Sequence, residues 1–99
     1  ELPDELLNQL LDLIDELRRE TDGFLGDPGD QQIWYNRGYA NGMVLALLRL
    51  GQSGPLGNRL ADEPWQLDGH LAMPGGKAYR HGESNGSRET HEITGTLPS

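Results

Sequence analysis

The stretch that decides the fold is QQIWYNRGYANGMVLALLRLG, residues 31–51. Its second half is rich in good helix formers, and Arg49 followed by Gly51 is typical of a helix C-terminus. The Asn41-Gly42 pair is also a strong hairpin-turn signal, so two strands around RGYANG are the alternative. Because MVLALLRL does not alternate apolar with polar residues, the sequence favours one helix over about 31–50.

Two glycines interrupt this helix, at a cost of roughly 1 kcal/mol each relative to alanine. Gly38, Gly42 and Ala46 recur every four residues, so they share one face that is small enough for another backbone to approach closely. The possible occupants of this face are the first helix, a second copy of the chain, or a ligand or partner segment. The predicted helix-packing surface or partner groove consists of Trp34, Tyr35, Gly38, Tyr39, Gly42 and Ala46.

The segment LPDELLNQLLDLIDELRRETDG predicts an amphipathic helix over about 3–21, with acids in its first turn and arginines in its last. Asp30 is a suitable N-cap for the second helix, after a turn at residues 27–29. The two helices are therefore expected to form an antiparallel hairpin. One apolar stripe of the first helix, the predicted oligomer core, consists of Leu6, Leu10, Leu13 and Leu17, and a second stripe beside it consists of Leu7, Leu11 and Ile14.

A hairpin of two helices is too small to bury both apolar faces by itself. We therefore predict that residues 1–51 oligomerise, and a four-helix dimer is the simplest completion. The expected protein partners are further copies of the chain and a major structural protein of an assembly.

Residues 52–99 differ in character, with eight glycines, four prolines and no sustained periodicity. This composition predicts an extended arm with little regular structure. Residues 60–63 are a candidate helical turn, and HEITGTL, residues 91–97, is a candidate short strand. The arm is expected to become ordered mainly on partner chains, through the anchors Leu60, Trp65, Leu67, Tyr79 and Ile93.

The chain carries 16 acidic residues against 8 lysines and arginines, a net charge of −8. Such a surface repels phosphate backbones, so no direct nucleic-acid binding is expected. The acidity indicates either a solvated helix face or a surface for a basic partner. The absence of cysteine excludes disulfides and thiolate metal sites. The sequence contains no run of about 18 apolar residues, so no membrane-spanning helix is expected.

No motif in the sequence predicts catalysis, a cofactor or a metal. GESNG, residues 82–86, matches G-x-S-x-G, but it lacks the strand and helix of a nucleophile elbow and is better interpreted as a glycine-rich loop. His70, His81 and His91 lack the tight local spacing of zinc ligands and are expected at the surface. We therefore predict a chain that is not an enzyme.

The predicted layout, a compact helical element followed by a long Gly/Pro-rich arm, resembles that of small accessory proteins of tailed bacteriophages. The resemblance is architectural and implies a capsid decoration, cement or minor virion protein, located in the virion after assembly in the host cytoplasm. The main alternative is a small acidic inhibitor, of the phage anti-defence type, that blocks a basic site on a host nuclease complex. A small-molecule binder that uses the Gly38–Gly42 face is a third possibility.

Overall fold

The computed structural model describes residues 3–26, 29–57 and 74–95. Three long helices, α1 (Asp4–Glu20), α2 (Gln31–Arg49) and α4 (Pro74–Ile93), are accompanied by a 3₁₀ turn at Phe24–Gly26 and a short helix, α3 (Ser53–Leu56). These ranges contain no strand, so the prediction of a mainly helical chain is confirmed. None of the helices in the described part of the chain is long and apolar enough to cross a membrane.

Helix α1 begins and ends where its sequence predicts. Asp4 and Glu5 occupy the first turn and Arg18 and Arg19 the last, where each charge complements the helix dipole. Beyond the last turn, the hydroxyl of Thr21 donates to a backbone carbonyl one turn earlier at 2.7 Å, which satisfies one of the carbonyls left open at the helix end.

Helix α2 is continuous through both of its glycines, so the alternative of two strands is wrong. The Asp30 carboxylate accepts hydrogen bonds from the backbone N–H groups of Gln32 at 3.1 Å and Ile33 at 3.2 Å. It therefore caps the helix as predicted. At the other end, Gly51 adopts a φ of 77°, a left-handed conformation that favours glycine and ends the helix.

The main apolar core lies between α1 and α2. It uses Leu7, Leu11 and Ile14 of α1, so the inward face is centred on the second of the two predicted stripes. Leu56 of α3 covers this core and is 2% exposed. The described residues buried in this core are Leu7, Leu10, Leu11, Ile14, Met43, Val44, Leu47 and Leu56. The antiparallel arrangement of α1 and α2 remains a prediction.

Helix α4 occupies sequence for which we predicted little regular structure, and that prediction is wrong for residues 74–93. HEITGTL is not a strand at residues 91–93, and residues 82–86 are mid-helix rather than a loop. The glycines that resembled helix breakers lie against α2, and this tertiary contact outweighs their low helix propensity. The proposed turn at residues 60–63 lies outside the described residues.

A second apolar cluster joins three separate segments of the chain. Phe24, from the 3₁₀ turn, packs edge-on against Trp34 of α2, with ring centroids 4.8 Å apart. Tyr79 of α4 lies 6.2 Å from the Phe24 ring and 6.4 Å from the Trp34 ring. Residues on both sides of the predicted boundary near residue 51 therefore share one cluster, and the division into 1–51 and 52–99 remains a prediction.

Candidate functional site

At four glycines, the contact between α2 and α4 brings the two backbones directly together. A Cβ atom placed on Gly38 would lie 2.7 Å from the carbonyl carbon of Tyr79, and one placed on Gly42 would lie 2.8 Å from the backbone nitrogen of Ser87. Gly82 and Gly86 of α4 would collide in the same way with the backbone of α2. We call these four glycines the glycine seam, because no other residue allows the two helices to approach this closely.

The seam is reciprocal. Gly38 faces Tyr79 while Gly82 faces Tyr35, and Gly42 faces Glu83 while Gly86 faces Tyr39. The residue numbers rise together along both helices, so α2 and α4 run parallel. Exchanging the two helices therefore leaves the pattern of contacts unchanged, which is the property of a local pseudo-twofold axis along the pair.

The sequence contains the signal for this symmetry, although our sequence-based prediction missed it. Tyr35-x-x-Gly38-x-x-Asn41-Gly42 recurs 44 residues later as Tyr79-x-x-Gly82-x-x-Asn85-Gly86. The correspondence continues beyond the motif. Ala46 and Leu47 are buried, and so are Thr90 and His91, which lie 44 residues after them. A comparison of the chain with itself would have identified the partner of the small-residue face.

Two of the six predicted interface residues, Gly38 and Gly42, form part of the seam. Trp34, Gly38, Gly42 and Ala46 are buried, whereas Tyr35 and Tyr39 are half-buried. At Gly38 and Gly42 the neighbouring backbone belongs to α4 of the same chain, an occupant that the sequence did not lead us to expect. This close approach leaves no room for a small molecule at the two glycines.

One flank of the seam carries a row of polar side chains, which we call the tyrosine flank. The Tyr39 hydroxyl donates to Glu89 Oε1 at 2.6 Å, and Asn85 Nδ2 donates to the Tyr35 hydroxyl at 2.9 Å. The His81 ring lies 5.7 Å from the Tyr35 ring. Burial, together with the hydrogen bond to Glu89 and its negative charge, raises the pKa of Tyr39 well above its usual range.

The other flank carries a groove of about 430 Å³ between the second half of α2 and the middle of α4. We call it the arginine groove, and its lining residues are Leu45, Arg49, Arg80, Glu83, Ser84, Ser87 and Arg88. Arg49 Nη1 donates to the Ser87 hydroxyl at 3.2 Å. Asn41 Nδ2 donates to Glu83 Oε2 at 2.7 Å.

Helix α1 presents an acidic outer face and a partly exposed leucine edge. Of the predicted oligomer core, Leu10 is buried within the chain's own core, whereas Leu13 is 39% exposed. Leu6 and Leu17 are partly buried and pack against the same core. We call Leu6, Leu13 and Leu17 the leucine edge. The exposed carboxylates of α1 belong to Asp4, Glu5, Asp12, Asp15, Glu16 and Glu20.

Two of the predicted arm anchors lie in α4. Tyr79 is buried in the cluster with Phe24 and Trp34, whereas Ile93, at the end of α4, is 54% exposed. Leu60, Trp65 and Leu67 lie outside the described residues.

The histidines of α4 differ from each other in burial. His81 is exposed, as predicted, but His91 is 1% exposed, because it occupies an inward position of a helix that we had not predicted. His70 lies outside the described residues. Within the described part of the chain, no three or more histidine, aspartate or glutamate side chains are grouped so that they could hold a metal ion.

Comparison with known proteins found no matching family model, no matching curated protein and no matching solved structure. Function must therefore be inferred from the geometry and chemistry of the described residues.

Proposed function

We propose that this chain is a non-enzymatic interaction subunit that pairs with a second copy through the outer edge of α1, as one building unit of a larger assembly. The observation that carries the proposal is the leucine edge, which the chain's own fold covers only in part. Apolar side chains at the margin of a helix face are the usual material of helix–helix interfaces between subunits.

The spacing of the leucines is self-complementary in an antiparallel pair. When two copies of α1 lie antiparallel with their midpoints within one residue of being level, Leu6 of one copy comes level with Leu17 of the other, and Leu13 comes level with Leu10. The same contacts recur on the other side of the two-fold axis, as an isologous interface requires. Leu10 is buried in the chain's own core, so the accessible apolar row consists of Leu6, Leu13 and Leu17, and it spans most of the length of α1.

Charge at the two ends of α1 favours the antiparallel direction. Glu5 and Arg19 lie on the same flank of the leucine edge and come within one residue of being level across an antiparallel pair. A parallel pair would instead place Glu5 beside Glu5 and Arg19 beside Arg19. Exposed ion pairs contribute only about 0–1 kcal/mol each, so these charges set the direction more than the affinity.

The narrower proposal of a virion decoration or cement protein has less support than the sequence suggested. That proposal requires an extended arm, whereas residues 74–93 form a helix that packs on α2 of the same chain. The second candidate, an acidic inhibitor of a basic protein site, is favoured by a specific feature, the six exposed carboxylates of α1. The two candidates differ in whether the outer surface of α1 faces a copy of itself or a basic partner.

Sedimentation equilibrium of matched variants tests the proposed pairing. Leu13 and Leu48 are exposed to nearly the same extent, 39% and 42%, but Leu48 lies at the end of α2. Burying the exposed part of Leu13 in both copies contributes about 1–2 kcal/mol, so Leu13→Gln should weaken dimerisation roughly 5- to 30-fold. Leu48→Gln should leave the dissociation constant unchanged.

Cross-linking tests the predicted geometry. Because the chain has no cysteine, Leu13→Cys and Leu48→Cys each introduce one thiol. The two copies of residue 13 are offset by only about 5 Å along the axis of an antiparallel pair, so a short bifunctional maleimide should join Leu13→Cys chains and leave Leu48→Cys chains single. A monomeric wild-type chain at millimolar concentration would refute self-pairing. Salt-sensitive binding to a basic nuclease complex, competed by that complex's acidic substrate, would then support the inhibitor.

A further inference from the structure

We propose that the arginine groove binds the phosphate group of a small phosphorylated molecule. The groove is formed by α2 and α4 and does not include α1, so this site is independent of the pairing proposed above. Three features carry the inference: the concentration of arginines, the availability of their guanidinium groups, and the size of the groove.

The concentration of positive charge is unusual for this chain. Acidic residues outnumber lysines and arginines by 16 to 8, yet three of those eight cations line this one groove. Among the described lining residues the only carboxylate is that of Glu83, so this part of the groove is locally positive on an otherwise acidic molecule. A cleft lined by one sign of charge concentrates ligands of the opposite sign.

Within the described ranges of the chain, most of this positive charge is not neutralised by carboxylates. The Glu83 carboxylate accepts its hydrogen bond from the Asn41 amide at 2.7 Å instead of forming an ion pair with a groove arginine. Arg88 lies 3.6 Å from Glu89, and both side chains are about half exposed, so that pair is weak. Neither Arg49 nor Arg80 has a carboxylate within 4.0 Å in the described part of the chain.

The donors in the groove suit a tetrahedral oxyanion. Each guanidinium offers paired N–H donors that match two phosphate oxygens, and serine hydroxyls supply additional donors. The Ser87 hydroxyl already accepts a hydrogen bond from Arg49 Nη1, which holds that guanidinium on the groove wall before any ligand binds. Ser84 and Arg80 lie four residues apart on α4, so they share a face of the helix.

Size and surrounding charge indicate a small ligand. A volume of about 430 Å³ exceeds that of a bare phosphate and falls within the usual range for small-molecule sites. A long polyanion such as nucleic acid would also experience the repulsion of the remaining acidic surface, whereas a small phosphate ester meets only the groove.

Nuclear magnetic resonance titration with phenyl phosphate and with inorganic phosphate tests the proposal. At constant ionic strength, we expect saturable shifts of the backbone amides of residues 45–49 and 80–88. Arg80→Gln should raise the dissociation constant about tenfold or more. Arg19→Gln, which removes an exposed arginine from α1, should change it less than twofold.

Sodium chloride and a single-stranded oligonucleotide complete the experiment. Shifts of equal size and location with chloride would overturn the proposal, because the groove would then respond to ionic strength alone. An equal loss of affinity in Arg19→Gln and Arg80→Gln would also overturn it, since the effect would then follow net charge. Tighter binding of the oligonucleotide than of phenyl phosphate would overturn the assignment to a small ligand. Native far-ultraviolet circular dichroism of both variants ensures that a missing shift reports a loss of binding.

Discussion

Gly42→Ala tests the glycine seam most directly, because two physical effects predict opposite signs. Helix propensity alone predicts that alanine stabilises the interior of α2 by about 1 kcal/mol relative to glycine. The structure predicts the reverse. The new Cβ would lie 2.8 Å from the Ser87 nitrogen and 2.9 Å from the Glu83 carbonyl carbon, both of which are backbone atoms that cannot rotate away.

The size of the effect follows from the separation that the methyl group would impose. To restore ordinary van der Waals distances of 3.4–4 Å, α4 must move outward by about 1 Å. A gap of this size loses about a quarter to a half of the dispersion energy between the facing atoms of the seam. Overpacking of this kind costs about 1–3 kcal/mol, and each Cα–H···O interaction that the separation breaks adds about 0.5–1 kcal/mol. After subtraction of the propensity gain, we expect the free energy of unfolding to fall by about 1–2 kcal/mol.

Urea unfolding followed by circular dichroism at 222 nm measures this difference. The matched control is Gly26→Ala, where a Cβ would meet nothing within 4 Å and the backbone is not left-handed, so its free energy of unfolding should be unchanged or about 0.4–1 kcal/mol higher. Adding Gly86→Ala to Gly42→Ala should cost less than it does in the wild type, since the seam is already open. If Gly42→Ala instead stabilises the chain by about 1 kcal/mol, the close approach of α2 and α4 is refuted.

Three further predictions concern single polar groups. Tyr39→Phe should lower the free energy of unfolding by about 0.5–1.5 kcal/mol, because it removes the hydrogen bond to Glu89. Folding raises the pKa of Tyr39 above its ordinary value of 10.0, so the unfolded chain loses this proton first. The free energy of unfolding should therefore fall as the pH rises above about 10. That part of the fall should vanish in Tyr39→Phe. Asp30→Ala should lower the free energy of unfolding by about 1 kcal/mol, because it removes the N-cap of α2. Asp22→Ala, at an exposed position outside the helices, is the control and should change the midpoint of urea unfolding little.

The helices that could be predicted from the sequence are those whose signals are local. The stripes of α1 and the charges at its two ends determine where it begins and which side turns inward. Asp30 and Gly51 mark the ends of α2 through a side-chain cap and a left-handed glycine. These features act within one or two turns of helix, so no knowledge of the tertiary structure was needed.

Helix α4 has no comparable local signal. Four of its first thirteen residues are glycine, and its polar and glycine-rich composition resembles that of a flexible segment. Its stability depends on Gly82 and Gly86 lying against the backbone of α2, 40 or more residues away in the sequence. The local sequence of α4 does not indicate this long-range contact, whereas the repeated Tyr-x-x-Gly-x-x-Asn-Gly motif does.

The surfaces of functional interest divide in the same way. The sequence by itself determined that Gly38 and Gly42 form a smooth face and that α1 has more leucines than one apolar stripe needs. Only the tertiary structure decided that α4 covers the glycines, that Leu13 remains exposed, and that Arg49, Arg80 and Arg88 line one groove. The physical reason is that periodicity and capping fix a helix and its faces, whereas the choice of partner for each face depends on close packing between residues far apart in the chain.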